Sequence, residues 1–232
     1  MLVYGKNVAK EILKSDKKVK KVYVDENFNS DEILSLIDKK EINKIVLSKD
    51  KIDELVKSPS QGIVLDINDY HYKDFDDIKE DDEASFIVML DHIEDPHNFG
   101  AIIRTCECAG VDYIIIPNKR NAVINATVMK TSAGALINTK IAEVANLTNT
   151  IEKLKKLGYW IVGTDADGKN YTEIDYNGKI VLVIGSEGNG LKEIVRKNCD
   201  YIASIPLKGK VNSLNASVAT GIMIYEVVKT RK

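Results

Sequence analysis

Short apolar runs alternate with polar segments along the first 70 residues. The stretches with a helical period are 7–13, 30–37 and 48–56, and the apolar runs of strand length are 22–24, 45–47 and 62–67. Ser30 and Ser48 precede two of the helical stretches, and serine is a residue type that caps helices. The pattern therefore predicts a compact α/β unit over residues 1–70.

From residue 85 onward the apolar runs become more continuous. The runs of strand length are 86–90, 113–116, 141–144, 159–162, 179–184 and a last one near 202–205, and the helical stretches between them are 100–109, 122–136, 151–157 and a helix after Asn215. Nearly unbroken apolar strands are typical of a sheet that helices cover on both faces. We therefore predict an α/β domain with a mostly parallel sheet over residues 85–232.

Between these regions lies an acidic stretch. Residues 71–84 contain seven Asp and Glu side chains between Asp74 and Glu83. Like charges at this density disfavour packing and extend the chain, so we expect a linker here.

Composition narrows the class of protein. The chain has 33 basic and 35 acidic residues and a net charge of −2, so any RNA contact must use local clusters such as Lys14–Lys21 or Lys119 with Arg120. No apolar run has the length of a membrane span, and we expect no membrane association. The three cysteines and three histidines lack metal-ligand spacing. We therefore expect reduced cysteines, a cytoplasmic location and no metal.

Three polar loops follow predicted strands, where an open α/β sheet binds its ligands. The first loop holds Asn98, and Arg104 lies one turn into the helix that follows it. The second holds the glycines of 185–190. The third begins where Pro206 ends the last strand, and it holds Ser213 and Asn215. The glycines at 185, 188 and 190 do not follow the dinucleotide-binding spacing, and no Walker A loop is present. We expect one site for a nucleoside-like ligand.

The residues of these loops carry a family resemblance. Segments 95–104 (DPHNFGAIIR), 184–191 (IGSEGNGL) and 205–215 (IPLKGKVNSLN) resemble, in order, the three motifs of the SpoU (TrmH-type) RNA 2′-O-ribose methyltransferases. The front part resembles the L30e-like substrate-binding domain of RlmB-like members, which methylate a guanosine of 23S rRNA. The resemblance implies a SPOUT-type catalytic domain with a trefoil knot, S-adenosylmethionine (SAM) as cofactor, and a homodimer with its interface next to the cofactor.

The resemblance also implies roles for individual residues. Gly185, Ile205 and Leu214 match residues that line the SAM pocket, and the polar residues that match the motifs are Asn98, Arg104, Glu187, Ser213 and Asn215. A ribose hydroxyl that attacks a sulfonium methyl must lose its proton. Arg104 is either the base or a cation that binds the substrate phosphate, and Glu187 is the second candidate base. Ser213 is alternatively only a helix cap, and we interpret His97 as loop structure.

Several functions remain open at this point. The leading hypothesis is methylation of a guanosine ribose in 23S rRNA, and its nearest rival is the same chemistry on tRNA or another rRNA nucleotide. A rival of another class is a non-catalytic RNA-binding or ribosome-assembly protein, which would lack Arg104 or Asn98. A nucleotide-binding oxidoreductase that uses residues 185–190 is the third hypothesis.

Overall fold

Two β-sheets, each in its own compact unit, organise the chain. The computed structural model describes residues 1–186 and 190–231. One unit consists of Met1–His71 and Ile124–Asn138, and the other of Tyr72–Val123 and Thr139–Lys232. The strands are β1 (Leu2–Tyr4), β2 (Val19–Asp25), β3 (Lys44–Leu47), β4 (Ile63–Ile67), β5 (Phe86–Leu90), β6 (Tyr113–Pro117), β7 (Ile141–Val144), β8 (Trp160–Asn170), β9 (Ile180–Ile184) and β10 (Tyr201–Ser204).

Helices connect most of these strands. They are α1 (Lys6–Lys14), α2 (Asp31–Lys39), α3 (Lys49–Val56), α4 (Phe75–Lys79), α5 (Pro96–Cys108), α6 (Ala126–Thr131), α7 (Leu147–Lys156), α8 (Glu193–Lys197) and α9 (Ala216–Thr230), with 3₁₀ turns at Ala135–Ile137 and Tyr171–Glu173. No helix in the described part of the chain is both long and apolar enough to cross a bilayer.

The first unit contains a mixed four-stranded sheet in the order β1-β4-β2-β3. Strands β2 and β3 are parallel, and β4 runs antiparallel to both β1 and β2. The helices and strands predicted in residues 1–70 are confirmed, and the sequence pattern missed only the short β1. Ser30 and Ser48 occupy the predicted N-cap positions, although neither side chain makes a capping hydrogen bond.

The second unit contains a six-stranded sheet in the order β10-β8-β9-β5-β6-β7. Every pairing described between these strands is parallel, which confirms the predicted parallel sheet. All residues of β5, β6 and β9 are buried, as expected for central strands covered on both faces. Parallel strands end at the same edge, so the loops after β5, β9 and β10 emerge together there.

The acidic stretch differs from the extended linker that its charge predicts. Asp74 and Asp77 form a capping box at the start of α4. Ile78 and Ala84 are buried in the core of the second unit. Asp81 accepts hydrogen bonds from Lys140 Nζ at 2.9 Å and from the Tyr113 hydroxyl at 3.0 Å, and these bonds hold the pKa of Asp81 below its ordinary value. The carboxylates therefore cap a helix and form ion pairs, so the segment packs.

Other differences reflect tertiary contacts. The helix predicted over 122–136 is the shorter α6, because Ala133 and Gly134 have φ values of 53° and 91° and break the helical path. The structure assigns Ile124–Asn138 to the first unit, whereas the sequence prediction included it in the second domain. The last predicted strand is β10, an edge strand that is only partly buried.

Candidate functional site

The first predicted loop is shorter in the structure, because α5 begins at Pro96. Asp95 caps this helix and accepts hydrogen bonds from the backbone N–H groups of His97 and Asn98 at 3.3 and 2.9 Å. Proline is favoured in the first helical turn because its missing N–H would have no helical partner there. Asn98 is therefore held in the first turn of α5, where it is only 8% exposed.

The third predicted loop ends at Asn215, the N-cap residue of α9. Its Oδ1 accepts hydrogen bonds from the backbone N–H groups of Ser217 and Val218 at 2.9 and 3.3 Å. Its Nδ2 donates a hydrogen bond of 2.9 Å to Oδ1 of Asn98. The structure thus joins two of the predicted site residues, which are 117 positions apart in the sequence, through a direct side-chain contact.

The second predicted loop closes tightly after β9. The backbone groups of Ser186 and Gly190 exchange two hydrogen bonds of 3.0 and 3.1 Å. A Cβ atom on Gly185 would lie 2.3 Å from the carbonyl carbon of Gly190 and 2.6 Å from its oxygen. Because neither atom belongs to a flexible side chain, only glycine fits at position 185.

These segments enclose a cavity of about 420 Å³, which we call the loop cavity. Its volume lies in the usual range for small-molecule sites, about 300–1,000 Å³. Gly185, Ile205, Ser213 and Leu214 all line it, together with residues 164–166 of β8. All three residues predicted to contact the cofactor therefore line one cavity.

Among the described residues, Asp165 is the one carboxylate that lines the loop cavity, and a cation offsets its charge. Asp165 Oδ2 lies 3.1 Å from Nε of Arg196 in an ion pair. Arg196 also donates from Nη2 to Asp167 at 2.7 Å, so the guanidinium is held between two carboxylates. Asp165 was not among the predicted site residues, because the apolar run predicted as a strand ends at Val162 and no motif marks the residues after it.

A second cavity of about 610 Å³, the polar cavity, adjoins the first, and the two share Ser186, Gly190 and Ala216. Most of its lining residues have polar or charged side chains. They are His92, Glu94, Asp95, Asn98, Arg120 and Lys192. Asn98 thus lines the polar cavity, and its partner Asn215 directly follows residues 212–214, which line the loop cavity. The two cavities therefore meet near this pair.

One predicted catalytic residue is not part of this assembly. Arg104 is exposed on α5 and lines neither cavity, and no hydrogen bond or ion pair joins its side chain to another residue within 1–186 or 190–231. Glu187 lies outside the described residues. The roles proposed for both stay predictions.

The sequence pattern did not point to His92 and Lys192 of the polar cavity wall or to the buried Asp91 that contacts them. Asp91 directly follows β5 and is only 1% exposed, and it contacts both His92 and Lys192. A charged residue directly after a fully apolar strand was the available signal, since a buried charge requires partners. The partner Lys192 lies about a hundred positions away, so the sequence pattern did not reveal it.

The two cavities have different chemical capacities. The loop cavity offers backbone, apolar and uncharged polar groups beside the Asp165 carboxylate, which suit a cofactor that has both apolar and polar parts. The polar cavity offers Arg120, Lys192 and the Asn98 amide, with the carboxylates of Glu94 and Asp95 in the same wall, and these groups suit a polar ligand that carries a local negative charge. The arrangement can therefore hold two reactants side by side, and placing them correctly can lower a reaction barrier by several kcal/mol, on the order of 7–11 kcal/mol at best.

Comparison with known proteins identifies both units. The model of the SpoU rRNA Methylase family matches residues 85–225. A second model, described as RNA 2′-O ribose methyltransferase substrate binding, matches residues 2–73. A protein of Staphylococcus saprophyticus assigned to the TrmH family of tRNA/rRNA methyltransferases is 41% identical, and the alignment covers 100% of this chain and 96% of that relative. The YacO protein of Bacillus subtilis, assigned in the same way, is 40% identical over 99% of this chain and 95% of its own length.

Solved structures agree with this similarity. The SpoU methyltransferase AviRb from Streptomyces viridochromogenes, in complex with the cofactor AdoMet, superposes with a TM-score of 0.84 at 25% identity and covers 100% of this chain and 90% of its own. An AdoMet-bound rRNA methyltransferase from Sinorhizobium meliloti gives a TM-score of 0.84 at 26% identity, with coverage of 100% and 87%. The predicted fold class is confirmed, while the trefoil knot and the relation of the front unit to L30e stay predictions.

Proposed function

Because this chain belongs to the SpoU rRNA methylase family, we propose that it transfers a methyl group from SAM to a ribose 2′-hydroxyl in RNA, with a guanosine of 23S rRNA as the target. The observation that carries the proposal is the contact between Asn98 and Asn215 at the junction of two cavities. The substrate-binding model matched by residues 2–73 supports the ribose as acceptor. The predicted cytoplasmic location is part of the same proposal.

The loop cavity fits the cofactor. Gly185 brings the chain after β9 so close to Gly190 that no side chain can intervene, and this leaves backbone groups as the wall of the cavity. Ile205 and Leu214 add apolar surface. SAM supplies a methyl group on a positively charged sulfur. A ribose oxygen can attack this methyl carbon, and the bond from the carbon to the sulfur breaks as the new bond forms. This chemistry needs no metal.

The polar cavity receives the acceptor ribose. Asn98 stands at its wall, and its amide Nδ2 remains as a donor because Oδ1 accepts from Asn215. Asn215 also fixes the first turn of α9, so the orientation of Asn98 is coupled to a rigid element. The pair holds the acceptor in line with the methyl donor, and this placement accounts for a large part of the rate.

Arg104 requires a second subunit in this proposal. It is exposed, yet the next residue, Thr105, lies against α9, with its Cγ2 3.9 Å from the position of a Cβ on Gly221. Val218 and Tyr225 on α9 are each 51% exposed, and apolar side chains of this size on one helix suggest an interface. We propose a homodimer through the α5–α9 surface, in which Arg104 of each subunit serves the polar cavity of its partner.

A mixing experiment tests this arrangement. Arg104→Ala keeps both cavities, and Gly185→Ala keeps Arg104 but blocks the loop cavity. A 1:1 mixture that pairs at random should regain up to about a quarter of the wild-type activity, because about half of the dimers are mixed and one of the two sites in each combines an intact cavity with an intact arginine. If the mixture is inactive although light scattering shows mixed dimers, Arg104 does not act on its partner's site.

The target nucleotide requires a separate test. Ribose methylation is mapped in rRNA and tRNA from cells with and without the gene, and the wild-type gene is then restored. We expect one guanosine of 23S rRNA to lose its ribose methyl group on deletion and to regain it on restoration. Loss at a tRNA position would move the substrate to tRNA, and unchanged maps would refute the proposed target.

A further inference from the structure

Two residues of the polar cavity wall, His92 and Lys192, form a closed hydrogen-bonded group with the buried Asp91. Asp91 is 1% exposed, and its Oδ2 accepts a hydrogen bond of 3.0 Å from the backbone N–H of Lys192. Its Oδ1 contacts Nδ1 of His92. The Nε2 atom of His92 in turn lies 2.7 Å from Nζ of Lys192. A single buried carboxylate therefore fixes the backbone of Lys192 directly and its ammonium through the imidazole.

The direction of these hydrogen bonds follows from the donors. A lysine ammonium has three N–H donors and no acceptor, so Nε2 of His92 must accept. Nδ1 then carries the ring proton and donates it to Asp91. Both ring nitrogens are engaged, and the imidazole acts as a support for Lys192. Two N–H donors of the ammonium remain for a ligand.

The backbone at His92 indicates that this arrangement is specific. Its φ of 67° lies in the left-handed region, which residues other than glycine seldom adopt. Such a conformation persists only where surrounding contacts enforce it, and these sites often lie at ligand-binding positions. Asp91 and Lys192 supply the contacts on the two sides of the ring.

We propose that Lys192 binds an RNA phosphate next to the acceptor ribose, and that His92 and Asp91 are positioning residues for its ammonium. This inference rests on the proposed function, because the 3′-phosphate is attached to the carbon beside the one that carries the acceptor hydroxyl. Lys192 and Arg120 line the cavity that also holds Asn98. Asp95 in the same wall is engaged in capping α5, and Glu94 is the nearby carboxylate whose charge opposes phosphate binding.

Lys192→Gln tests the phosphate contact, and Lys197→Gln is the matched control. Lys197 is an exposed lysine of α8 that pairs with Glu193 and lines neither cavity. Methyl transfer is measured on total RNA purified from cells that lack the gene, and binding of the same RNA is measured over a series of salt concentrations. We expect Lys192→Gln to raise KM about tenfold with kcat within about twofold, as for a lost charged hydrogen bond. Its salt dependence should fall by about one counterion, with a slope change of roughly 0.9.

Three further variants separate positioning from folding. Lys192→Arg should restore most of the affinity, since arginine also binds phosphate. His92→Asn keeps a side-chain N–H donor for Asp91 and tolerates the left-handed backbone, but it is too short to reach Lys192, so KM should rise although thermal stability does not fall. Glu94→Gln should lower KM, because it removes an opposing charge.

The outcomes are distinct. An unchanged KM and salt slope in Lys192→Gln would overturn the proposal, and so would a fall in kcat alone, which would place Lys192 at the reacting ribose. Loss of SAM binding in this variant would mean a structural role and would likewise overturn it. Failure of the proposed function would be visible separately, as methyl label on the bases of wild-type product instead of on its ribose.

Discussion

The loop cavity and the polar cavity share Ser186, Gly190 and Ala216 but recognise ligands by different means. At Gly185 the loop cavity is bounded by backbone atoms that approach too closely for a side chain. The polar cavity is bounded by charged side chains such as Lys192. The first cavity should therefore be sensitive to a single added carbon, whereas the second should tolerate changes of shape and respond to charge and salt.

The largest effect on cofactor binding is expected in the loop cavity, where the shape of the backbone determines what fits. Gly185→Ala would place a carbon within 2.3 Å of the Gly190 backbone and distort the wall of the loop cavity. SAM at about 100 times its Kd should stabilise the wild-type protein by about 2.7 kcal/mol. The variant should show no such shift in a thermal melt and no methyl transfer.

Gly209→Ala is the matched control for this steric effect. Gly209 lies in the loop between β10 and α9, but apart from its two chain neighbours no atom of the described residues lies within 4 Å of the position its Cβ would take. We expect normal SAM binding. If Gly209→Ala and Gly185→Ala lose the cofactor equally, the loop tolerates no substitution and the shape argument fails.

An intermediate effect is expected where the two cavities meet. Asn215→Ala removes the cap of α9 and the hydrogen bond to Asn98, and a lost cap costs about 1 kcal/mol of stability. Methyl transfer should fall by at least about tenfold, since misplacement of a reactant is costly. In a double-mutant cycle, Asn98→Ala and Asn215→Ala should couple by about 0.5–1.5 kcal/mol.

Asn146→Ala separates stability from positioning. Asn146 caps α7 in the same unit, where it accepts a hydrogen bond of 2.9 Å from the backbone of Asn149. The Asn146→Ala substitution should lower the free energy of unfolding by a similar amount, about 1 kcal/mol, and leave methyl transfer unchanged. A comparable loss of activity in Asn146→Ala would show that the Asn215 effect is one of stability alone.

The smallest effect is expected at Asp81, which lies away from both cavities and should affect only the stability of the protein. The hydrogen bonds from Lys140 and then Tyr113 lower the pKa of Asp81 from its ordinary value of 3.8. A lowered folded-state pKa stabilises the protein above the ordinary pKa, and this contribution is lost as the pH falls through the folded value. Asp81→Asn should thus cost up to about 1 kcal/mol at neutral pH, since Lys140 is half exposed.

Urea denaturation checks this prediction at neutral and at acid pH. The difference between wild type and Asp81→Asn should shrink as the pH falls below 3.8, while SAM binding and methyl transfer at neutral pH stay at wild-type levels. A difference that persists in acid would mean that the side chain stabilises the protein by packing and not by its charge.

The features of the fold that short-range sequence patterns determine were predicted correctly. The buried strands β5, β6 and β9 follow from apolar runs, and their parallel order places three loops at one edge, where Asn98 and Asn215 meet. The start of α5 was predicted too late, although Asp95 followed by Pro96 is a recognised helix start. The signal was present but was interpreted as a polar loop.

Other features depend on contacts that no local pattern encodes. Residues Ile124–Asn138 belong to the first unit because of tertiary packing, such as the approach of Gly134 to the Glu11 side chain. The acidic stretch packs because Tyr113 of β6 and Lys140, which directly precedes β7, reach Asp81 from distant parts of the sequence. The group of Asp91, His92 and Lys192 likewise joins residues about a hundred positions apart.

The most direct test of the account follows the transferred methyl group. Protein, total RNA from cells that lack the gene, and SAM labelled with tritium in its methyl group are incubated, and the RNA is then hydrolysed in alkali. A 2′-O-methyl group blocks cleavage of the adjacent phosphodiester bond, so the account predicts label in alkali-resistant dinucleotides and none with Gly185→Ala. Label confined to mononucleotides would place the methyl group on a base and contradict the account.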